Sequence, residues 1–141
     1  MARAYIGEEL HLEAKNETGA LGRVVSALSR SGINIVHLLA YSVGERGYLQ
    51  TITSDNAKAK EILERNIPQM KINLRPVLIV EFENKIGTLS PVTKLLGNQN
   101  IFIDYCYGTS GDGFKIVGVF STADNKRAME LINDASARGE M

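Results

Sequence analysis

Residues 10–35 recur at residues 78–103 with a shift of 68, the separation between Gly19 and Gly87. Internal repetition constrains a fold more than any local signal, because each copy must form the same unit. Leu10, Glu13, Asn16, Gly19, Leu21 and Val24 meet Leu78, Glu81, Asn84, Gly87, Leu89 and Val92. Leu28, Ile33 and Ile35 meet Leu96, Ile101 and Ile103. After one inserted residue the match resumes at a shift of 69, where Thr53-Ser54-Asp55-Asn56 meets Thr122-Ala123-Asp124-Asn125. That period is longer than a solenoid repeat, so each copy is expected to be a small domain with its own core. The boundaries expected from sequence are 1–75 and 76–141.

Each copy has the same pattern. Leu10, Leu12 and Ala14 alternate with His11, Glu13 and Lys15, and Leu78, Val80 and Phe82 alternate with Ile79, Glu81 and Glu83, which predicts half-buried strands. A helix follows in each copy, with Leu21, Val24, Val25 and Leu28, or Leu89, Val92, Leu95 and Leu96, on one face. The first helix should stop at Gly32 and the second copy's at Asn100, the two residue types that best tolerate a left-handed C-cap. Second strands are predicted over 33–42 and 101–107, hairpin loops at 44–47 and 108–113, and third strands over 48–53 and 114–121. Second helices follow Asp55 and Asp124 as N-cap regions. A fourth strand is predicted at 70–74, set off from the second copy by Pro76. The second copy has no clear equivalent, because its tail at 135–141 is small and polar. Either the segment around Ala4 to Ile6 fills the gap or that sheet is a strand short.

The order of elements predicts an α+β chain of two tandem ferredoxin-like βαββαβ domains, each with its helices on one face of an antiparallel sheet. Both second strands are apolar and would otherwise be bare edges, so the two copies are expected to pair side by side through them into one larger sheet.

Asn16-Glu17-Thr18-Gly19-Ala20-Leu21, followed by Gly32-Ile33-Asn34-Ile35, resembles the start of an ACT domain. Asn84-Lys85-Ile86-Gly87-Thr88-Leu89, followed by Asn100-Ile101-Phe102-Ile103, resembles a second one. The first segment is also similar to the opening of acetolactate synthase regulatory subunits, and the chain as a whole resembles proteins made only of two ACT domains. The resemblance implies paired sheets and an amino acid bound where domains meet. The residues expected at the ligand are Asn16, Thr18, Gly19, Ala20, Leu21, Asn34 and Ile35, and Asn84, Ile86, Gly87, Thr88, Leu89, Ile103 and Asp104.

The residue chemistry points the same way. A strand-to-helix loop presents unpaired N–H groups and a partial positive charge, a natural seat for a carboxylate. Glycine lets backbone and ligand approach closely, and asparagine offers both donor and acceptor. Asp104 is the acidic group best placed to counter an ammonium. The same glycines and asparagines would also serve simply to shape the turn; their occurrence in two copies favours a ligand site.

Other classes are disfavoured. Sixteen basic and sixteen acidic residues balance, so no basic excess invites nucleic acid. No apolar run is long enough to span a membrane, and no apolar signal core follows the N-terminus, so a cytoplasmic protein is the simplest reading. Cys106, the one cysteine, sits in a predicted strand as a small core residue. The glycine-rich stretch at 108–113 lacks the lysine and the following helix of a phosphate loop. His11 and His37 have no ligand-like neighbours in sequence, although His37, matched by Tyr105, could line an interface. No catalytic constellation assembles, so no enzyme activity, metal or other cofactor is expected. The expected function is a regulatory protein that senses a small metabolite, with an amino acid as its partner and a homodimer compatible with it. The alternative is a ligand-independent subunit that docks on a biosynthetic enzyme.

Overall fold

The computed structural model describes all 141 residues, Met1–Met141. The elements are β1 (Arg3–Lys15), α1 (Ala20–Arg30), β2 (Ile35–Val43), β3 (Arg46–Thr53), α2 (Asn56–Asn66), β4 (Lys71–Glu83), α3 (Leu89–Asn98), β5 (Ile103–Thr109), β6 (Lys115–Thr122) and α4 (Asn125–Ala137). They form two compact units. One is Glu8–Arg75; the other joins Met1–Gly7 to Pro76–Met141.

Within Glu8–Arg75 the strands lie in the order β2-β3-β1-β4, with β1 and β2 both antiparallel to β3. Leu10 and Leu12 of β1 and Leu49 of β3 share one buried cluster with Val24 and Leu28 of α1 and Ala59, Ile62 and Leu63 of α2. Alternate strand residues point to one face, so this cluster places both helices on the same side.

The second unit has the order β1-β4-β6-β5, to which β1 contributes its first residues only. Its core collects Leu78, Val80, Phe82, Val92, Leu96, Phe120, Ala128 and Ile132. Ala2 and Ala4 belong to this core too. The Asn133 side chain clamps Ala4 from α4: its Nδ2 donates to the Ala4 carbonyl and its Oδ1 accepts from the Ala4 N–H, both at 2.8 Å. The fourth-strand position that the polar tail cannot fill is thus taken by the N-terminal segment. Gly7 completes the fit, since a Cβ there would run into the Ile79 side chain.

Three expectations change. Pro76 does not interrupt the chain between copies; it lies inside the continuous strand β4. The β4–β6 ladder starts only at Leu78, so the missing proline N–H takes no bond from it. The second strands do not pair with each other, because β2 has β3 as its one neighbour and β5 has β6, each at an edge. Cys106 is exposed rather than buried, since it sits on the edge strand β5.

The caps follow the repeat closely. Gly32 has φ 71° and Asn100 has φ 57°. Ile33 N–H donates to Leu28 O and Gly32 N–H to Ser29 O; Ile101 and Asn100 make the same pair of bonds to Leu96 and Gly97. This is the Schellman arrangement in both copies, with buried Ile33 and Ile101 as its apolar partners. At the other end, Asp55 accepts from Lys58 N–H and Asp124 from Arg127 N–H. Asn56 and Asn125 each accept from the backbone and hydroxyl of the preceding Thr53 or Thr122. Replacing Asp55 or Asp124 by alanine should each cost about 1 kcal/mol, the usual worth of an N-cap. Urea unfolding checks this, and equal midpoints for wild type and both variants would contradict it.

Candidate functional site

The loop from β1 to α1 is built the same way as the loop from β4 to α3. Gly19 and Gly87 both have φ 86°, a backbone that disfavours any side chain. Asn16 N–H donates to Glu45 O at 2.8 Å and its Nδ2 to Gly44 O at 3.3 Å. Asn84 N–H donates to Phe114 O at 2.8 Å and its Nδ2 to Gly113 O at 3.0 Å. Each asparagine therefore ties its loop to the neighbouring hairpin.

In Glu8–Arg75 this loop borders a cavity of about 270 Å³. Its floor is the helix-side face of the sheet, where Ala14, Ala40, Ser42 and Gly47 are small. Its apolar walls are Leu12 and Leu49, Leu21 and Val24 of α1, and Met70. Asn16, Glu17 and Ala20 close the loop side, and Lys15, Tyr41 and Tyr48 also border the cavity. Tyr41 and Tyr48 face each other across the β2–β3 ladder and stack at 5.2 Å. Lys15 Nζ lies 3.9 Å from Glu17 Oε1, and Arg23 reaches the other Glu17 oxygen at 3.5 Å.

The structure brings Asn16, Ala20 and Leu21 of the sequence-derived set to this cavity. Thr18 is exposed on the loop. Gly19 borders a second, open hollow of about 430 Å³ with Arg23, Arg30 and Asn66. Asn34 and Ile35 lie at the far end of their sheet, where Ile35 pairs with Thr53 and Asn34 N–H donates to Ser54 Oγ at 3.0 Å. In the other unit, Ile86 is fully exposed and Leu89 partly so. The Thr88 hydroxyl is committed to the backbone oxygens of Glu83 and Lys85. Ile103 pairs with Thr122, at the opposite end of that sheet from Asn84 and Gly87. Asp104 is exposed and accepts from Ser121 Oγ at 3.4 Å.

Ala14, Ala40, Ser42, Gly47, Tyr41, Tyr48, Met70 and the Lys15–Glu17 pair were not singled out from sequence. Their signal is the small size of Ala14 and Gly47, which acquires meaning only when the ladder places them opposite each other. Elsewhere, His11 Nε2 lies 2.8 Å from Glu9 Oε1, and Glu9 is fully buried. Partial burial holds the His37 imidazole pKa below its ordinary value. At 108–113 the chain makes a hairpin turn, with Asp112 accepting from the Phe114 and Lys115 N–H groups. These bonds, that of Lys115 foremost, hold the Asp112 carboxyl below the usual carboxylate range. No cluster of three or more His, Cys, Asp or Glu side chains is arranged for a metal ion. No helix is long and apolar enough to cross a membrane.

The units are α+β with a ferredoxin-like arrangement of helices on an antiparallel sheet. Residues 10–65 match the ACT domain family. No curated protein sequence matches the chain. Among solved structures, the chain is similar to protein BT0572 from Bacteroides thetaiotaomicron, with a TM-score of 0.86, 24% identity, and 94% of this chain and 90% of that one covered. It is also similar to the regulatory subunit of aspartate kinase from Thermus thermophilus, with a TM-score of 0.69 and 16% identity over 94% of this chain and 95% of that one. Clostridium acetobutylicum aspartate kinase follows with a TM-score of 0.56 and 19% identity, over 94% of this chain and 34% of that one.

Proposed function

We propose that the chain is a regulatory protein of two ACT domains, without catalytic activity of its own, that senses an amino acid through the loop between β1 and α1. The observation that carries this reading is the cavity at that loop in Glu8–Arg75, lined by Asn16, Ala20 and Leu21. It combines an apolar interior with groups of both charges at its mouth, the features a zwitterion needs. The match of residues 10–65 to the ACT domain and the aspartate kinase regulatory subunit among similar structures support a regulatory role. Binding to the folded state raises its stability, so a sensor reports its ligand as a shift in melting temperature. A thermal-shift screen over the standard amino acids should find at least one stabilising ligand. Replacing Gly19 by valine puts a β-branched residue at φ 86°, and the strain of about 1–3 kcal/mol should displace the loop and weaken binding at least tenfold. Calorimetry of the folded variant checks this; affinity equal to wild type would reduce the loop to a turn.

A second reading has its own support. The edge strand β2 exposes Leu38 on one face and Tyr41 and Val43 on the other, and an open edge of this kind suits docking on a partner enzyme without a ligand. A screen in which no amino acid shifts the melting temperature would favour this reading over the first.

A further inference from the structure

The two copies share their loop but differ in the side chains on the rung beside it. In Glu8–Arg75, Ala14 stands opposite Gly47 on the β1–β3 ladder. The equivalent rung of the second unit, at shifts of 68 and 69, is Phe82 opposite Ile116. Phe82 is buried in the core of its unit and Ile116 packs against that core. Ile116 Cγ2 lies 3.6 Å from where a Cβ on Gly108 would stand, and Gly108 is the counterpart of Ala40 on the cavity floor. The second unit therefore sets two large apolar side chains on the rung where the first sets two of the smallest. An open volume lined by apolar atoms favours an occupant, because unfilled space forfeits dispersion contacts.

We infer that the chain binds one ligand, in Glu8–Arg75 alone, and that this ligand is an α-amino acid with an uncharged, apolar side chain, admitted because Ala14 and Gly47 leave room for it. The inference rests on the proposed reading of the loop as a ligand site and adds its stoichiometry and chemical class. The volume of about 270 Å³ suits a small metabolite rather than a nucleotide. Leu12, Leu21, Val24, Leu49 and Met70 offer no partner to a charged side chain, whose burial without one is costly. At the mouth, Lys15 and Glu17 present opposite charges 3.9 Å apart. An exposed pair of this kind contributes little by itself, so it can open to receive a carboxylate and an ammonium.

The test is calorimetry of the full chain with L-leucine, L-isoleucine and L-methionine, against L-aspartate, L-lysine and L-serine. One site per chain and preference for the apolar three are expected. Gly47→Ile recreates the Ile116 half of the second unit's rung, and a Cβ there meets nothing closer than 3.8 Å. It should leave the melting temperature undiminished while weakening binding on the order of 100-fold, since the added side chain occupies the ligand's space. Ala14→Leu serves as a second filled variant if Gly47→Ile does not fold, and wild-type stoichiometry and selectivity decide if neither does. Two sites per chain, or undiminished affinity in a folded filled variant, would overturn the inference and leave the loop reading standing. Tighter binding of L-aspartate, L-lysine or L-serine would overturn the ligand class. If none of the six binds but another amino acid stabilises the protein in the wider screen, the inference alone falls; if no amino acid does, the loop reading falls with it.

Discussion

Ala4→Asp is expected to destabilise the unit of Met1–Gly7 with Pro76–Met141 by about 3–5 kcal/mol, the scale of an uncompensated buried charge. Ala4 is 4% exposed and belongs to that unit's core. A carboxylate there meets Leu78, Phe82 and their neighbours in place of water. Asn133→Leu isolates the second part of the attachment, the reciprocal bonds to the Ala4 N–H and C=O. Leaving those partly buried backbone groups without a partner should cost about 2 kcal/mol. Urea unfolding measures both, and hydrogen exchange locates them: protection of α3 and α4 amides should fall more than that of α1. An Ala4→Asp protein that melts like wild type would mean that the N-terminal segment is not a working strand of this unit.

The helices and caps were legible because their signals are local. Gly32 and Asn100 announce a left-handed residue by type alone, and Asp55 and Asp124 need only the N–H three positions on. The repeat made each signal visible twice. What was illegible depends on distant partners. Ala2 and Ala4 carry little strand propensity, and Asn133, the bonding partner of Ala4, is 129 residues away. Pro76 looked like punctuation because sequence does not show that the β4–β6 ladder begins two residues later. The second strands looked in need of pairing because their apolar residues do not reveal which neighbour occupies the inner position. At the site, Asn16, Ala20 and Leu21 were readable from the loop motif, whereas the cavity comes from side chains that are absent. Ala14 and Gly47 are unremarkable letters until register sets them on one rung.

Phe82→Ala supplies the energetic counterpart of that asymmetry. Phe82 is 5% exposed and packs among Leu78, Val80, Val92 and Phe120. Truncating it removes a buried ring and leaves a hole that the close-packed surroundings fill only in part, so the loss should be about 3–5 kcal/mol. Ile116→Val, which trims one methylene from the facing position, should cost only about 0.5–1.5 kcal/mol. Because the two side chains share a rung and fill one volume, their losses should not add. Urea unfolding of the single and double variants tests all three statements. On the matching rung of Glu8–Arg75, Ala14 and Gly47 have no comparable side chain to lose, and Gly47→Ile adds apolar contact without removing any. A cost for Phe82→Ala below about 1 kcal/mol would mean that Phe82 does not fill its rung against the core, and the physical distinction between an open first unit and a filled second one would be lost.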